Sequence, residues 1–276
     1  MKVLLCCIAR LENNYIREFI AHYKNLGVDN ICLYDNNFDG EEDFKEVIAD
    51  YIERGYVFLH DFRNKRFAQF ESYNHCYGMY KNSYDWIIFL DVDEFLFLRK
   101  HSDIKEFLSD DLYKDYQAIH VNRVLYSDNN LLYEDTRPVV ERFTEISYGN
   151  DTDDPQSTKD NTPIKTILRG GLQHINYINP HAPHTFCGYK ACRTDGVQCE
   201  FFSFFAKHVD DIAVINHYAT KSVTEYVIKL KRGSATKPRP YEEYINKFFN
   251  INVPTKEKID IILDSTGVDM SHLIKP

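Results

Sequence analysis

The chain is 276 residues long, 43% hydrophobic and 14% aromatic, enough for one large packed domain or two small ones. Its 33 lysines and arginines stand against 42 aspartates and glutamates, a formal charge of −9. That balance excludes a general nucleic-acid binder, which needs a basic footprint to displace counterions, so any bound phosphate must meet a local basic cluster.

The amino terminus "MKVLLCCIARLENN" carries a short apolar run cut by Arg10 and Glu12, with no small-residue cleavage site after it, and reads as a first strand. No window reaches the roughly 18 consecutive apolar residues of a membrane span. The expected location is the cytoplasm, with a peripheral place at the cytoplasmic membrane face as the variant. Of the seven cysteines, Cys6, Cys7, Cys32 and Cys76 fall in apolar patterns. Cys187, Cys192 and Cys199 lack the tight first pair of a structural zinc site, which leaves reduced thiols.

In chain order, "KVLLCCIA" (2–9) predicts a strand, and Ile16, Phe19, Ile20, Tyr23 and Leu26 a helix stopped by Gly27. "NICLY" (30–34) is a second strand, Phe44 to Ile52 a second helix ending near Gly55, and "YVFLH" (56–60) a third strand. A helix over 68–83 leads to a fourth strand, "DWIIFL" (85–90). Strands without a polar face, separated by amphipathic helices, predict a doubly wound, mostly parallel α/β sheet covered on both faces. Ligands bind such sheets at the carboxyl ends of the strands, where polar residues gather here. Beyond residue 100, 103–112 reads as helical, 117–126, 164–168, 172–178 and 211–216 as β-like, and 148–163 as a polar loop; the lysine-rich carboxyl end is helical. There is no internal repeat and no linker, so one domain over 1–276 is expected, with divisions 1–100, 101–235 and 236–276.

Three carboxylates interrupt the apolar run "WIIFLDVDEFLFL" (86–98). Residues two apart on a strand point the same way, so Asp91 and Asp93 can share a hard divalent cation, Mn²⁺ or Mg²⁺. The plainer reading, acids that cap a helix or pair with lysines, needs fewer than three. Glu94 has no assigned role. A D-x-D at this place fits a nucleotide-sugar glycosyltransferase. The alternatives are an aspartate-nucleophile phosphatase, disfavoured by the fourth-strand position and by Phe95, and a non-catalytic sugar- or metal-binding module.

The blocks "IARLENNYIREFIAHYKNLGVDNICLYDNN", "QFESYNHCYGMYKNSYDWIIFLDVDEF" and "INHYATKSVTEYVIKLKRG" together resemble the GT-A glycosyltransferases of family 92 and related bacterial family-2-like enzymes. The resemblance spans roughly residues 3–233 and is looser between 98 and 210. It implies a GT-A fold, a nucleotide-sugar donor, by resemblance UDP-linked and carrying galactose as the first choice, and a glycan or lipid-linked glycan acceptor in surface-polysaccharide synthesis, with inversion. It places Arg10, Glu12, Asp35 and Asn36 around the nucleotide, with Gln69 and Asn74 on the preceding helix. Asp91 and Asp93 match the D-x-D, and His217 is a third metal ligand; for a lone histidine the default is a hydrogen-bonded structural role. Lys221 and Arg232 would clamp the departing diphosphate, although a lysine-rich helix can equally be a solvated face. Asp128, Glu141 and Asp195 are candidate bases, each more often an ordinary loop carboxylate. His174, His181 and His184 in "HINYINPHAPH" form a candidate acceptor wall, and 20 tyrosines and 19 phenylalanines supply ample stacking surface.

Overall fold

The computed structural model describes residues 1–147, 158, 160–269 and 271–273. The first half runs β1 (Val3–Ala9), α1 (Asn13–Asn25), β2 (Asn30–Asp35), α2 (Phe44–Glu53), β3 (Val57–Asp61), α3 (Gln69–Tyr80), β4 (Trp86–Phe89), β5 (Glu94–Leu98) and α4 (Ile104–Leu108). There follow β6 (Ala118–Leu125), α5 (Val139–Arg142), β7 (Asn161–Arg169), β8 (Ala191–Arg193), β9 (Gln198–Cys199), β10 (Phe205–Lys207) and β11 (Ala213–His217). Helices α6 (Val223–Arg232), α7 (Tyr241–Ile251) and α8 (Lys256–Thr266) end the chain.

Every residue of β1 is buried, because it is covered on both faces. Its odd positions, Val3, Leu5 and Cys7, pack with Ile16 and Phe19 of α1 and Phe44 and Ile48 of α2. The even positions, Leu4, Cys6 and Ile8, pack with Tyr73, Cys76 and Tyr77 of α3. The period-two alternation of the strand thus sorts side chains into two cores. Gly27 and Gly55 take positive φ at the ends of α1 and α2, as expected of a helix stop. All seven cysteines are free thiols.

The sheet is mixed, in the order β3-β2-β1-β4-β7-β6-β11-β5. Strands β1 to β4 pair in parallel. From β7 onward antiparallel pairs enter, β7 against both β4 and β6, and β5 against β11. The apolar run 86–98 is therefore two strands rather than one. Four places apart in the sheet order, β4 and β5 are joined directly by residues 90–93, so the sheet curls around that short link.

Other differences have local causes. The helix expected over 103–112 stops after Leu108; Asp103 caps its start, and Asp110 caps a separate 3₁₀ turn at Asp111–Tyr113. The strand expected over 172–178 is a loop with one bridge, Asn176 to His184. Ahead of it the chain turns at Gly170, where a Cβ would lie 1.9 Å from the Tyr84 carbonyl oxygen. The polar loop expected over 148–163 lies mostly outside the described residues, and β7 begins at its end. The short β8, β9, β10 and α5 left no periodicity to read. Among the described residues no helix is long and apolar enough to cross a membrane.

His120 on β6 is fully buried and fixes the second half to the sheet. Its Nε2 donates to the Glu200 carbonyl at 3.0 Å and its Nδ1 lies 3.0 Å from the Thr166 hydroxyl. Burial pushes its pKa down to about 4, with the Glu200 contact opposing. An unfolded histidine titrates near 6.5, so between that pH and about 4 the unfolded chain binds the extra proton. We therefore expect His120 to cost the protein up to about 3 kcal/mol of stability as pH falls through this window. Urea unfolding across that range should show the deficit of His120→Gln relative to wild type shrinking towards the acid end.

Candidate active site

At the carboxyl ends of β1, β2 and β4 lies a cleft of about 780 Å³, within the usual range of ligand sites. Its walls carry Arg10, Arg123, Lys165, Lys229, Arg232, Lys237, Arg239 and Lys247 against Glu12, Asp91, Asp93 and Glu243. Cations outnumber carboxylates two to one there, in a chain whose net charge is −9. This is the local basic cluster that a phosphate-bearing ligand requires.

Asp91 and Asp93 occupy the link between β4 and β5, and they face different partners. The Gln69 side chain donates to Asp91 Oδ1 at 2.7 Å and Lys165 Nζ to Oδ2 at 2.8 Å. Lys229 donates to Asp93 Oδ2 at 2.6 Å, and His217 Nε2 stands 3.5 Å from Oδ1. The antiparallel register sets His217 opposite Glu94, and Tyr218 N–H donates to the Asp93 carbonyl at 2.9 Å, which brings the imidazole beside the link. Burial disfavours both charges. Lys165 outweighs it at Asp91, and Lys229 with His217 at Asp93, so both carboxyls are held below the ordinary range, Asp93 well below. Asp91 keeps 34% of its side chain exposed and Asp93 8%, so Asp91 is the more open to a ligand.

Glu94 is the anchor under this link. Fully buried, it accepts Asp91 N–H at 2.9 Å, pairs with Lys165 at 3.1 Å and takes Arg123 Nη1 at 3.0 Å. Burial lowers the Lys165 pKa, and Asp91 and Glu94 more than reverse that, keeping it an ammonium. On the opposite wall, α6 begins with a capping box between Ser222 and Glu225. Glu225 also takes both Arg142 terminal nitrogens at 2.8 and 2.9 Å and the Tyr15 hydroxyl at 2.8 Å. Lys229 and Arg232 follow at i+4 and i+7, on the same helix face, which the cap aims into the cleft.

Several expected site residues meet here and others do not. Arg10, Glu12, Asn36, Gln69, Asp91, Asp93, His181, His217 and Arg232 line the cleft. Arg10 is held by Glu41 at 2.6 Å, and Glu12 by Arg232 and by Lys221 at 3.3 Å. Lys221 itself sits outside the lining, its ammonium 3.3 Å from the Tyr15 ring centre. Asp35 lies beneath the strand end, bonded to Asn37 and Arg63. Asn74 clamps the Tyr177 backbone by two hydrogen bonds instead of facing a ligand.

None of the three candidate bases lines the cleft. Asp128 is buried against Lys258 at 2.6 Å, Asp195 is paired with Arg193 at 2.6 Å, and Glu141 stands exposed on α5. Of the histidine group only His181 reaches the cleft; His174 is exposed and His184 packs on Phe186 and Phe202. Among the described residues no three histidines, cysteines or carboxylates close into a metal-holding group. The donor chemistry of Asp91, Asp93 and His217, two carboxylates and an imidazole, suits Mn²⁺ or Mg²⁺.

Lys165, Arg123 and Asn179 line the site without having been singled out from the sequence, and Lys229 lines it where the resemblance favours Lys221 from the basic cluster of Lys221, Lys229, Lys231 and Arg232. A lysine inside the apolar run "PIKTIL" was a readable sign of a buried ion pair, as was the 225-229-232 spacing of a charged helix face. Among the polar atoms of the lining that are buried and have no hydrogen-bond partner are Thr220 Oγ1 and Asn179 Nδ2. Such groups are rare away from ligand sites.

The profile described as "Glycosyltransferase family 92" matches residues 2–258. Galactan beta-1,4-galactosyltransferase GALS3 of Arabidopsis thaliana is 39% identical over 107 residues, 36% of this chain and 20% of that protein. A glycosyltransferase family 92 protein of Ricinus communis is 27% identical over 97 residues, 35% of this chain and 17% of its own length. These matches thus span at most about a fifth of the relatives. Among solved structures, GalNAc-T7 with UDP, GalNAc and Mn²⁺ aligns over 99% of this chain and 53% of its own at 12% identity and a TM-score of 0.42. The mannosyltransferase PcManGT of Pyrobaculum calidifontis, in complex with GDP-Man and Mn²⁺, aligns over 44% and 35% at 10% identity and a TM-score of 0.34.

The anchoring role of Glu94 makes a stability prediction. Glu94→Gln removes one charge from a buried cluster and leaves Lys165 and Arg123 undercompensated, at a cost of about 3 kcal/mol or more. Glu41→Gln, which breaks a partly exposed pair with Arg10, should cost less than about 1 kcal/mol. Equal midpoints for the two variants in urea unfolding would refute the anchor.

Proposed function

Taking as premise that this chain belongs to glycosyltransferase family 92, whose profile matches residues 2–258, we propose that it transfers galactose from UDP-galactose to a glycan hydroxyl with inversion. The observation that carries the reading is the cation-rich cleft at the strand ends, with the D-x-D on one wall and α6 on the other. The names of the galactan beta-1,4-galactosyltransferase relatives support galactose as the sugar. A β-linked product from an α-linked donor requires inversion.

In this reading Arg10, Glu12 and Asn36 face the nucleoside. Lys229, Arg232 and Lys165 carry fixed positive charge toward the diphosphate, where it stabilises negative charge developing on the leaving oxygen. Asp91, Asp93 and His217 would hold Mn²⁺ or Mg²⁺, and such an ion, when bound, adds Lewis-acid charge to the same diphosphate. The Thr220 hydroxyl donates to a phosphate oxygen. A phosphatase with Asp91 as nucleophile is disfavoured, because the D-x-D follows the fourth strand and position 95 is Phe.

Two measurements test this. Thermal unfolding with UDP, GDP or CMP, each with and without Mn²⁺, should show UDP with Mn²⁺ stabilising most, by about 2.7 kcal/mol at a hundredfold excess over Kd. No shift with any nucleotide would count against the transferase. Turnover of UDP-galactose should fall about 10²-fold in Lys229→Ala and stay unchanged in Lys231→Ala, whose side chain is exposed on the other side of α6. Equal activity in the two variants would remove Lys229 from the diphosphate site.

A further inference from the structure

The loop between β7 and β8 and the segment between β9 and β10 together carry a line of aromatic rings that leads from the cleft to the surface. Asn176 and His184 exchange both backbone hydrogen bonds, at 3.0 and 2.8 Å, which closes the loop on itself. Its tip, Ile178 to His181, lines the cleft, while its stem leads outward to Phe186. From His181 at the cleft wall, Phe204 follows at 5.4 Å between ring centres, then Phe202 at 6.1 Å, His184 at 5.4 Å and Phe186 at 4.6 Å. Phe186 is 88% exposed and Phe204 43%. A phenylalanine so exposed has little to contribute to the fold, and here five rings are placed in series.

At the cleft end stands Asn179, 4% exposed. Its Oδ1 accepts the N–H groups of His181 and Ala182 at 2.7 and 3.0 Å, which fixes the amide. The Nδ2 is a buried donor without a protein partner.

Resting on the transferase reading above, the geometry points to an extended acceptor subsite in which a neutral, β-linked oligosaccharide lies along Phe186, His184, Phe202 and Phe204 with its growing end at Asn179. Phenyl faces suit the C–H faces of pyranose rings, and imidazole and amide edges suit their hydroxyls. Successive rungs are spaced on the scale of a single pyranose ring. Neither an acyl chain nor an apolar peptide has a use for the two imidazoles or for the buried amide. The line also opens into the cleft, where the sugar would be joined. The acceptor is thereby a chain of several sugars instead of a single one.

The test is equilibrium binding of galactose, the β-1,4-linked disaccharide and the tetrasaccharide to the full chain by titration calorimetry, without donor. Affinity should rise with length. Phe186→Ala should weaken the tetrasaccharide by about threefold to tenfold, the range of one aromatic contact, and Phe186→Trp should restore it. Unfolding midpoints equal to wild type would verify that both variants fold, as expected for so exposed a side chain. Affinity independent of length, or a tetrasaccharide indifferent to Phe186→Ala, would overturn the subsite. So would Phe186-dependent binding to phosphatidylglycerol vesicles in place of the sugars. UDP-galactose hydrolysis by the wild type reports the transferase reading separately. Length-dependent binding without hydrolysis leaves the glycan subsite standing and removes that reading; hydrolysis without length dependence does the reverse.

Discussion

The buried carboxylate of Glu94 is the constraint on which the rest of the site depends. Its two oxygens serve three partners, Asp91 N–H, Lys165 and Arg123, which come from the turn itself, from β7 and from β6. A fully buried anion is tolerable only with such complete satisfaction. The same contacts tie the turn at residues 90–93 to two strands of the second half. Asp91 is thereby directed toward Lys165 and α3, and Asp93 toward β11 and α6. The aspartates are displayed by a turn rather than by a strand, and they answer to opposite walls of the cleft.

That arrangement assigns the two halves of the chain different tasks. The parallel half, packed on α1, α2 and α3, builds a rigid edge from which Arg10, Asn36 and Asp91 project. The second half supplies most of the positive charge, through Lys165 on β7 and through Lys229 and Arg232 on α6. Charge balance follows the same division. Two buried acids of the first half find cations in the second, Asp93 in Lys229 and Glu12 in Arg232. A polyanionic ligand entering the cleft would compete for those cations, a means by which ligand binding and the joining of the two halves can be coupled.

The sequence was most legible where one physical rule acted alone. Continuous apolar strands and 3.6-residue periodicity located β1 through α3 to within about three residues, and strand-end chemistry located Arg10, Asn36, Asp91 and Asp93 in the cleft. It was least legible where pairing was non-local. The fourth strand reads as ending at Leu90, one residue past Phe89, but nothing in "WIIFLDVDEFLFL" announces that Glu94–Leu98 pairs with a strand that begins only at Ala213. Lone polar residues were also ambiguous. Asp128, Asp195 and Asn74 have the composition of site residues, yet Asp128 is ion-paired with Lys258, Asp195 with Arg193, and Asn74 is bonded to the Tyr177 backbone. Lys165 shows the reverse, a cleft-lining position inside what reads as an ordinary strand.

The direct link from β4 to β5 has a bearing on how the protein comes into being. Strand β5 has β11 as its hydrogen-bonded neighbour, and β11 begins only at Ala213. A ribosome that has delivered the first hundred residues has made a parallel sheet able to close early on its helices, but also an apolar β5 with an open edge. Long-range pairing of this kind is slow because loop-closure entropy is lost before the contact rewards it. An exposed apolar edge is meanwhile a template for pairing with other chains. The order of synthesis therefore makes the turn at residues 90–93 the last part of this cleft edge to settle, and a chain halted before β11 would carry the motif without the cleft.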